Sequence, residues 1–193
     1  AYWRDMREYL ANDLGVRSLV FGTVVGCSTP SLMSAFDMID AHAYWNHPVF
    51  PHTPWDQRDW YVTNTAMVNH PAESTLAALF VKRVANMPFA VSEYNHSYPN
   101  TFEAEAFLLL SVYAGFQDWD VLVPFSYSHR KDDWNARQIP NFFDIDQNPV
   151  KLASFISAAA AFLDFHVAAA QRELTAPLDR EREAALLPGA RAW

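Results

Sequence analysis

Hydrogen-bonding and titratable side chains follow three short apolar runs of this sequence. The first run ends in His42 and Tyr44, the second in Glu93, and the third in Tyr127 and His129. If the runs are parallel strands of one sheet, these side chains meet beyond the carboxyl ends of the strands, where α/β proteins build their active sites. A carboxylate directly after an apolar strand is partly desolvated, and such a group is kept when it is hydrogen-bonded or serves chemistry. The sequence therefore predicts a catalytic site around Glu93.

Alternating strand and helix patterns predict how these residues are positioned. Short apolar runs predict strands over 18–25, 38–44, 88–94 and 120–127. Apolar residues at helical spacing predict helices over 2–14, 72–86, 102–117 and 150–174, and the connection over 30–37 has room for a short helix only. Cap signals are Gly15 after the first helix, Asn100 with Glu103 before the third, and Asn148 followed by Pro149 before the last.

This order predicts an α/β fold with parallel strands and right-handed crossovers. Gly22 and Gly26 do not have the spacing of a phosphate-binding loop, which favours an arc of a (β/α) barrel over a nucleotide-binding open sheet. We therefore expect a half-barrel of four strand-helix units over 1–174 and a tail or linker over 175–193. With a period of two along each strand, His42 and Tyr44 should point to one side together, and so should Val91 and Glu93.

The composition and net charge of the chain indicate which classes of binding partner to expect. The 193 residues are 51% hydrophobic and 15% aromatic, which suits a globular core, and the formal net charge is -8. With no long Lys/Arg run, nucleic acid and anionic membranes are not expected as partners, whereas a neutral small molecule is. Cys27 is the single cysteine, so no intrachain disulfide can form and the compartment stays open. No apolar stretch is long enough for a bilayer span, and we expect a soluble protein, secreted or cytoplasmic.

The strand that ends Val91-Ser92-Glu93-Tyr94-Asn95 is preceded by one with His42-x-Tyr44 and followed by one with aromatic and polar residues at its end. In this order the chain resembles the last four strands of a clan A, cellulase-like (β/α)8 glycoside hydrolase, a TIM barrel that cleaves β-glycosides with retention of configuration. The resemblance covers about residues 2–174. It implies that Glu93 is the nucleophile, that His42 and Tyr44 bind the nucleophile and sugar hydroxyls, and that Tyr127 lines the floor of a subsite.

The chain departs from this family in one respect. The family's acid/base lies in an Asn-Glu pair at the end of the fourth strand, and no Asn-Glu dipeptide occurs here. The remaining glutamates considered, Glu8, Glu73, Glu103 and Glu105, lie in or at the start of helices. We therefore expect the acid/base from outside this segment, either from a missing N-terminal half-barrel or from a second copy in a homodimer, which would also cover the open sheet edges. The start inside a helix suggests a processed product or a piece of a longer chain.

A long connection over 45–70 is rich in aromatic residues. Connections of this length in compact domains are usually functional or disordered, and this one is too aromatic for disorder. We expect it to border the substrate cleft, with one or two rings stacking on sugars and the others forming a local core. No cofactor and no metal are expected, and the predicted substrate-binding residues are His42, Tyr44, Trp45, Asn95, Tyr127, His129, Trp134 and Trp55.

Several alternatives remain open. Glu93 could be a structural carboxylate paired with Arg130. His42, His96 and His129 fall at three successive strand ends, as in metal-dependent barrel hydrolases, although no metal-binding motif accompanies them. A non-catalytic, carbohydrate-binding half-barrel would also fit.

Asp144 and Asp146 are most simply loop or cap carboxylates before the last helix.

Overall fold

The computed structural model describes residues 2–22, 28–135, 137–139 and 141–186. Three parallel strands form one sheet in the order β1-β2-β3, with β1 at Ile39–Trp45, β2 at Phe89–His96 and β3 at Val121–Pro124. The predicted α/β class with parallel strands is confirmed at this level. Of the predicted first strand, the described part pairs only through Phe21, which bridges Met38 in parallel, and residues 23–27 lie outside the described part.

Helices separate the strands, as the periodicity predicts. They are α1 at Tyr2–Glu8, continued by a π-helical turn at Tyr9–Asp13, α2 at Pro30–Met33, a 3-10 turn at Met67–Asn69, α3 at Thr75–Phe80, α4 at Glu105–Gln117, α5 at Pro149–Leu163 and α6 at Arg180–Leu186. The N-cap predicted at Asn148 is confirmed, because its side-chain oxygen accepts from the backbone N–H groups of Val150 and Lys151, each at 3.1 Å. Gly15 has a φ of 67°, the left-handed conformation expected after a helix.

The boundaries of three predicted helices are wrong. The helix predicted over 72–86 spans only Thr75–Phe80. The third helix begins at Glu105 rather than at 102. The Asn100 side-chain oxygen accepts from the backbone N–H of Phe102 at 2.7 Å, but residues 101–104 form turns, and the Glu103 carboxylate accepts from Asn148. The helix predicted over 150–174 ends at Leu163 as α5, because Phe165 takes a φ of 52° and turns the chain away. Strand β3, which corresponds to the strand predicted over 120–127, ends at Pro124.

The helices pack on one face of the sheet. On β1 the alternate residues Ile39, Ala41, Ala43 and Trp45 face this core, which also contains residues of α3, α4 and α5. The opposite face of β1 therefore carries Asp40, His42 and Tyr44. On β3, Val121 and Val123 remain 37% and 45% exposed, so this part of the sheet's other face is apolar and open.

A β-bulge in β2 determines which way Glu93 points. Ala41 pairs with Val91 and His42 pairs with Glu93, so Ser92 is an extra residue in β2. Both Val91 and Tyr94 belong to the helix-covered core, three positions apart. The prediction that Val91 and Glu93 share a side is therefore wrong, because the bulge shifts the alternation by one residue and turns Glu93 toward His42 and Tyr44.

The tail contacts the rest of the chain. In α6, Glu183 is 4% exposed, and its carboxylate accepts from the backbone N–H of Ser31 in α2 at 3.4 Å. Ala170 donates to the carbonyl of Phe116 at 2.9 Å, so the segment after α5 lies along α4. The domain boundary at 174 stays a prediction. Among the described residues, no helix is both long and apolar enough to cross a bilayer.

Candidate functional site

Glu93 is oriented by two residues of β1. The Tyr44 hydroxyl donates to Glu93 Oε2 at 2.5 Å, and His42 Nδ1 lies 3.2 Å from the same oxygen. In the part of the chain that the structure describes, Oε1 has no hydrogen bond. The Glu93 side chain is 31% exposed and that of His42 is 26% exposed. The predicted grouping of Glu93, His42 and Tyr44 is therefore present, with one carboxylate oxygen occupied and the other accessible.

Tyr44 is a stable hydrogen-bond donor. Burial, followed by the hydrogen bond to Glu93 and its negative charge, raises the pKa of Tyr44 far above its ordinary value. The ring packs on Phe143, with centroids 4.8 Å apart, and lies edge-on to Phe125 at 6.2 Å. This packing restricts the ring, so the hydroxyl is directed at Glu93.

His42 is connected to a second carboxylate that the sequence prediction did not include. Its Nε2 lies 2.8 Å from the Ser92 hydroxyl, which donates to Asp40 Oδ2 at 2.5 Å. The backbone N–H of Ser92 donates to Asp40 Oδ1 at 3.0 Å. Asp40 lies two residues before His42, so the period of the strand places both on one face. The contribution of Ser92 depends on the bulge, which no sequence pattern indicates.

The alternative in which Glu93 is a structural partner of Arg130 is not supported. Arg130 Nε donates to Asp146 at 2.8 Å, and the two side chains are only 11% and 3% exposed. Arg130 also lies over the ring of Trp134, 4.6 Å from its centroid. Asp146 is therefore a paired carboxylate rather than a helix cap. Glu93 is left with donors that are not permanently charged.

The long connection after β1 forms a small aromatic core and leaves the rings of Trp55 and Tyr61 exposed. Phe50 and Trp60 lie 6.2 and 5.3 Å from the ring of Phe142, which is buried. Trp55 is 58% exposed, and His47 lies 5.8 Å from it and 5.6 Å from Tyr44. The expectation of a local core with one or two free rings fits this arrangement. A continuous row of rings runs from Tyr44 outward to Trp55.

Two predicted substrate-binding residues are structural. Trp45 is 8% exposed, packs in the core and donates through Nε1 to the carbonyl of Thr65 at 2.7 Å. Asn95 is fully buried, and its amide donates to the carbonyls of Phe125 and Phe143. Neither side chain can reach a ligand, so both predictions are wrong. Asn95 instead fixes the two phenylalanines that pack on Tyr44.

Residues after β3 are spread over a wider surface. His129 Nδ1 lies 2.5 Å from Asp144, and its ring is 5.5 Å from Phe125. Tyr127 is 68% exposed. Trp134 borders a cavity of about 520 Å³ with Arg130, Arg137 and Gln147, and none of the three residues of the Glu93 group lines it. The ring of Phe125 packs against both His129 and Tyr44, so His129 lies near the Glu93 group. Trp134 borders a different cavity.

The three strand-end histidines have separate partners. Burial, followed by the charge of Lys151, lowers the pKa of His96 to about 3, and its Nε2 lies 3.2 Å from the Tyr94 hydroxyl in the core. His42 is engaged by Ser92 and Glu93, and His129 by Asp144. Within residues 2–22, 28–135, 137–139 and 141–186, no three His, Cys, Asp or Glu side chains converge as a metal site would require. The shared metal site of the first alternative is not formed by these histidines.

Three of the four glutamates considered as acid/base have other partners, and the fourth, Glu8, lies in α1. Glu103 is 4% exposed and accepts from the Asn148 amide, and Glu105 accepts from the backbone N–H of Met67 at 2.8 Å. Burial raises the pKa of Glu103. Glu8 lies in α1, and Glu73 lies 3.6 Å from His70. None of the four is hydrogen-bonded to the Glu93 group.

A buried lysine supports the loop beneath the site, and the sequence prediction missed it. Lys151 is fully buried, and its ammonium donates to the carbonyl of Phe142 at 3.1 Å. Burial lowers the pKa of Lys151 to about 8, although the negative charges of Glu103 and Asp144 oppose this shift. Together with Asn95, Lys151 fixes the backbone that presents Phe143 to Tyr44.

Comparisons of the chain with protein-family models, with curated proteins and with solved structures give no match, so the geometry of the Glu93 group alone carries the functional argument.

Proposed function

We propose that this chain supplies the nucleophile side of a retaining β-glycoside hydrolase, with Glu93 as the nucleophile. The observation that carries the proposal is that the Tyr44 hydroxyl and His42 Nδ1 both lie at Oε2 of Glu93, whereas no described residue is hydrogen-bonded to Oε1. A nucleophilic carboxylate needs this arrangement, because one oxygen attacks while the other is oriented by fixed donors. The resemblance to cellulase-like barrels points to the same residue.

The proposed reaction has two steps. Glu93 Oε1 attacks the anomeric carbon of a β-glycoside, the bond to the leaving oxygen breaks, and the acid/base donates a proton to that oxygen. Water then attacks the same carbon and gives a proton to the acid/base, and the ester bond to Glu93 breaks to regenerate the carboxylate. Retaining enzymes need the second carboxyl about 5–5.5 Å from the first. Because none of the four glutamates considered is hydrogen-bonded to the Glu93 group, the acid/base in this proposal comes from outside this segment.

The sheet fits the same proposal. We infer that the three parallel strands, with Phe21 as the remnant of a fourth in the described residues, are part of a (β/α) half-barrel. Val121 and Val123 are exposed on the face that would line the barrel interior. A second half-barrel, either an N-terminal half or another copy in a homodimer, would cover them and bring the acid/base. Size-exclusion chromatography of this chain giving a well-behaved monomer would argue against the homodimer.

A carbohydrate fits the surroundings of Glu93 best. The row of rings from Tyr44 through His47 to Trp55 ends in an exposed indole, and aromatic faces stack on sugar rings. The net charge of -8 and the absence of a basic patch in the sequence favour a neutral ligand.

The nucleophile is tested by covalent labelling. A 2-fluoro glycoside with a good leaving group should trap the ester, and peptide mass spectrometry should locate it on Glu93. The experiment uses the protein with its acid/base-bearing half, Glu93→Gln as the unlabelled variant and Glu105→Gln as a control that retains labelling. Turnover of the parent glycoside with the label on another residue, or with no label, refutes the proposal.

A non-catalytic carbohydrate-binding half-barrel is the second candidate. It is favoured because, among the described residues, the one further carboxylate connected to the Glu93 group is Asp40, which reaches His42 only through Ser92 and is 9% exposed. Calorimetry with β-linked oligosaccharides separates the two functions. Binding that persists in Glu93→Gln, without turnover by the complete protein, identifies a binding module.

A further inference from the structure

We propose that Asp40 and Ser92 are positioning residues that fix the ring hydrogen of His42 on Nε2, so that His42 forms a favourable ion pair with Glu93 only as a cation. The inference takes its functional meaning from the proposed role of Glu93, but it concerns the charge beside that carboxylate and has a readout of its own. It follows from counting the hydrogens in the chain Asp40, Ser92, His42, Glu93.

The hydroxyl of Ser92 has one hydrogen, which it donates in its hydrogen bond to Asp40. Ser92 Oγ donates to Asp40 Oδ2 at 2.5 Å, while the backbone N–H of Ser92 donates to Oδ1 at 3.0 Å. An ionised carboxylate only accepts, so both bonds have this direction. Asp40 is 9% exposed, and the paired bonds satisfy both of its oxygens. The hydroxyl can therefore only accept from His42 Nε2, which lies 2.8 Å away.

The consequence appears at the other ring nitrogen. A neutral imidazole has one hydrogen, and Ser92 draws it to Nε2. Nδ1 would then turn a lone pair toward Glu93 Oε2 at 3.2 Å, which is repulsive. A doubly protonated ring instead donates to Ser92 through Nε2 and places a positive charge beside Glu93. Contact with Glu93 in this geometry therefore requires a positive charge on His42.

The cation has a role that a neutral donor would not. A charge 3.2 Å from Glu93 Oε2 stabilises the carboxylate that attacks in the first step and leaves in the second. On the two strands around His42, the titratable groups that face it are Glu93 and Tyr44 directly and Asp40 through Ser92. Tyr44 stays protonated, so Glu93 is the anion that the ring contacts.

The bulge makes this arrangement possible. In a regular ladder, Ser92 and Glu93 would point to opposite faces of the sheet. The extra residue lets the Ser92 hydroxyl reach Asp40 and His42 while Glu93 still faces His42 and Tyr44. Bulges next to active sites often redirect a side chain in this way.

The test is the position of the ring hydrogen, read from the 15N NMR shifts of His42 in the full chain at a pH where the ring is neutral. The wild type should carry the hydrogen on Nε2. In Asp40→Asn, the amide oxygen must stay on the Ser92 N–H, so the NH2 group donates to Ser92 Oγ. The Ser92 hydroxyl is then free to donate to Nε2, and the ring hydrogen should move to Nδ1.

Matched variants separate this effect from lost stability. Asp120→Asn alters a carboxylate that accepts from the backbone N–H of Phe89 at 2.8 Å, at the other end of β2, and should leave the hydrogen on Nε2. Ser92→Ala should abolish the preference for Nε2, and Ser92→Thr, which keeps the hydroxyl, should restore it. These variants also keep the test valid if Asp40→Asn does not fold.

A neutral wild-type ring with its hydrogen on Nδ1 overturns the proposal, and so does Ser92→Ala that retains the Nε2 preference of the wild type. Neither result depends on catalysis. If fluoro-glycoside labelling of Glu93 fails while the ring hydrogen behaves as described, the proposed function is wrong and the hydrogen-bond assignment stands. If Glu93 is labelled while the ring hydrogen lies on Nδ1, the proposed function stands and the hydrogen-bond assignment is wrong.

Discussion

Replacing His96 by Gln should make the protein less sensitive to acid. His96 is fully buried, and its pKa falls from 6.5 to about 3, chiefly through burial and then through the charge of Lys151. Gln cannot be protonated in this range, and its amide can occupy the place of Nε2, which lies 3.2 Å from the Tyr94 hydroxyl. The variant therefore removes the titration and keeps the contact.

The sign and size of the effect follow from proton linkage. Between pH 6.5 and about 3 the unfolded chain binds a proton at His96 and the folded chain does not, so the free energy of unfolding falls as the pH falls. Each pH unit well inside this window is worth about 1.4 kcal/mol. From pH 7 to pH 5, the wild type should lose about 2 kcal/mol relative to His96→Gln. The carboxyl of Glu103, whose pKa burial raises, acts in the opposite direction, but it is present in both proteins and cancels in the difference.

Urea unfolding of both proteins at pH 7, 6 and 5 measures this difference. Tyr94→Phe serves as the control, because it removes the hydroxyl next to Nε2 but leaves His96 buried, and it should keep the pH slope of the wild type. Parallel stability curves for wild type and His96→Gln would refute the reasoning, since they would mean that His96 is protonated equally in the folded and unfolded chains.

Three further predictions concern the site and the helix ends. Tyr44→Phe removes a hydrogen bond to a carboxylate and should slow fluoro-glycoside labelling of Glu93 about 10- to 100-fold, and unchanged labelling would show that the 2.5 Å contact is not used. Asn148→Ala removes the cap of α5 and leaves Glu103 without its amide partner, which should lower the free energy of unfolding by about 2 kcal/mol in urea titrations, and a loss of a few tenths would contradict this. Asp118 follows α4 with a φ of 57°, so Asp118→Gly should raise that free energy by about 0.5–1 kcal/mol, whereas a loss would mean that its side chain stabilises the turn.

Local patterns predict part of this fold well. The alternation of apolar runs with helical spacing indicates three of the parallel strands, and the cap at Asn148 follows from short-range hydrogen bonding. Helix ends are harder to predict. Asn100 and Glu103 have the spacing of a cap, and the Asn100 oxygen does accept from the nearby backbone N–H of Phe102, but the Glu103 carboxylate binds Asn148, which is distant in sequence, and the helix begins only at Glu105. Tertiary partners outcompete a local cap when they offer buried hydrogen bonds.

The same distinction between local patterns and tertiary contacts applies to the candidate site. A period of two along β1 is enough to predict that His42 and Tyr44 share a face, and the position of Glu93 in an apolar strand is the basis for predicting a function for its carboxylate. Residue type alone predicts neither the burial of Trp45 and Asn95 nor the pairing of Arg130 with Asp146. Which of several polar neighbours a side chain contacts depends on distances between segments far apart in the chain.

The sequence by itself therefore determined the class of fold and that His42 and Tyr44 share one face of a strand, because these depend on local periodicity. The role of Glu93 as a nucleophile stays a prediction from the chemistry of its side chain. Only the tertiary structure decided which way Glu93 points and which residues, Ser92 and Asp40, lie on the Nε2 side of His42. The bulge at Ser92 exists because two strands pair with unequal numbers of residues, and this property of the pair is not written in either strand alone.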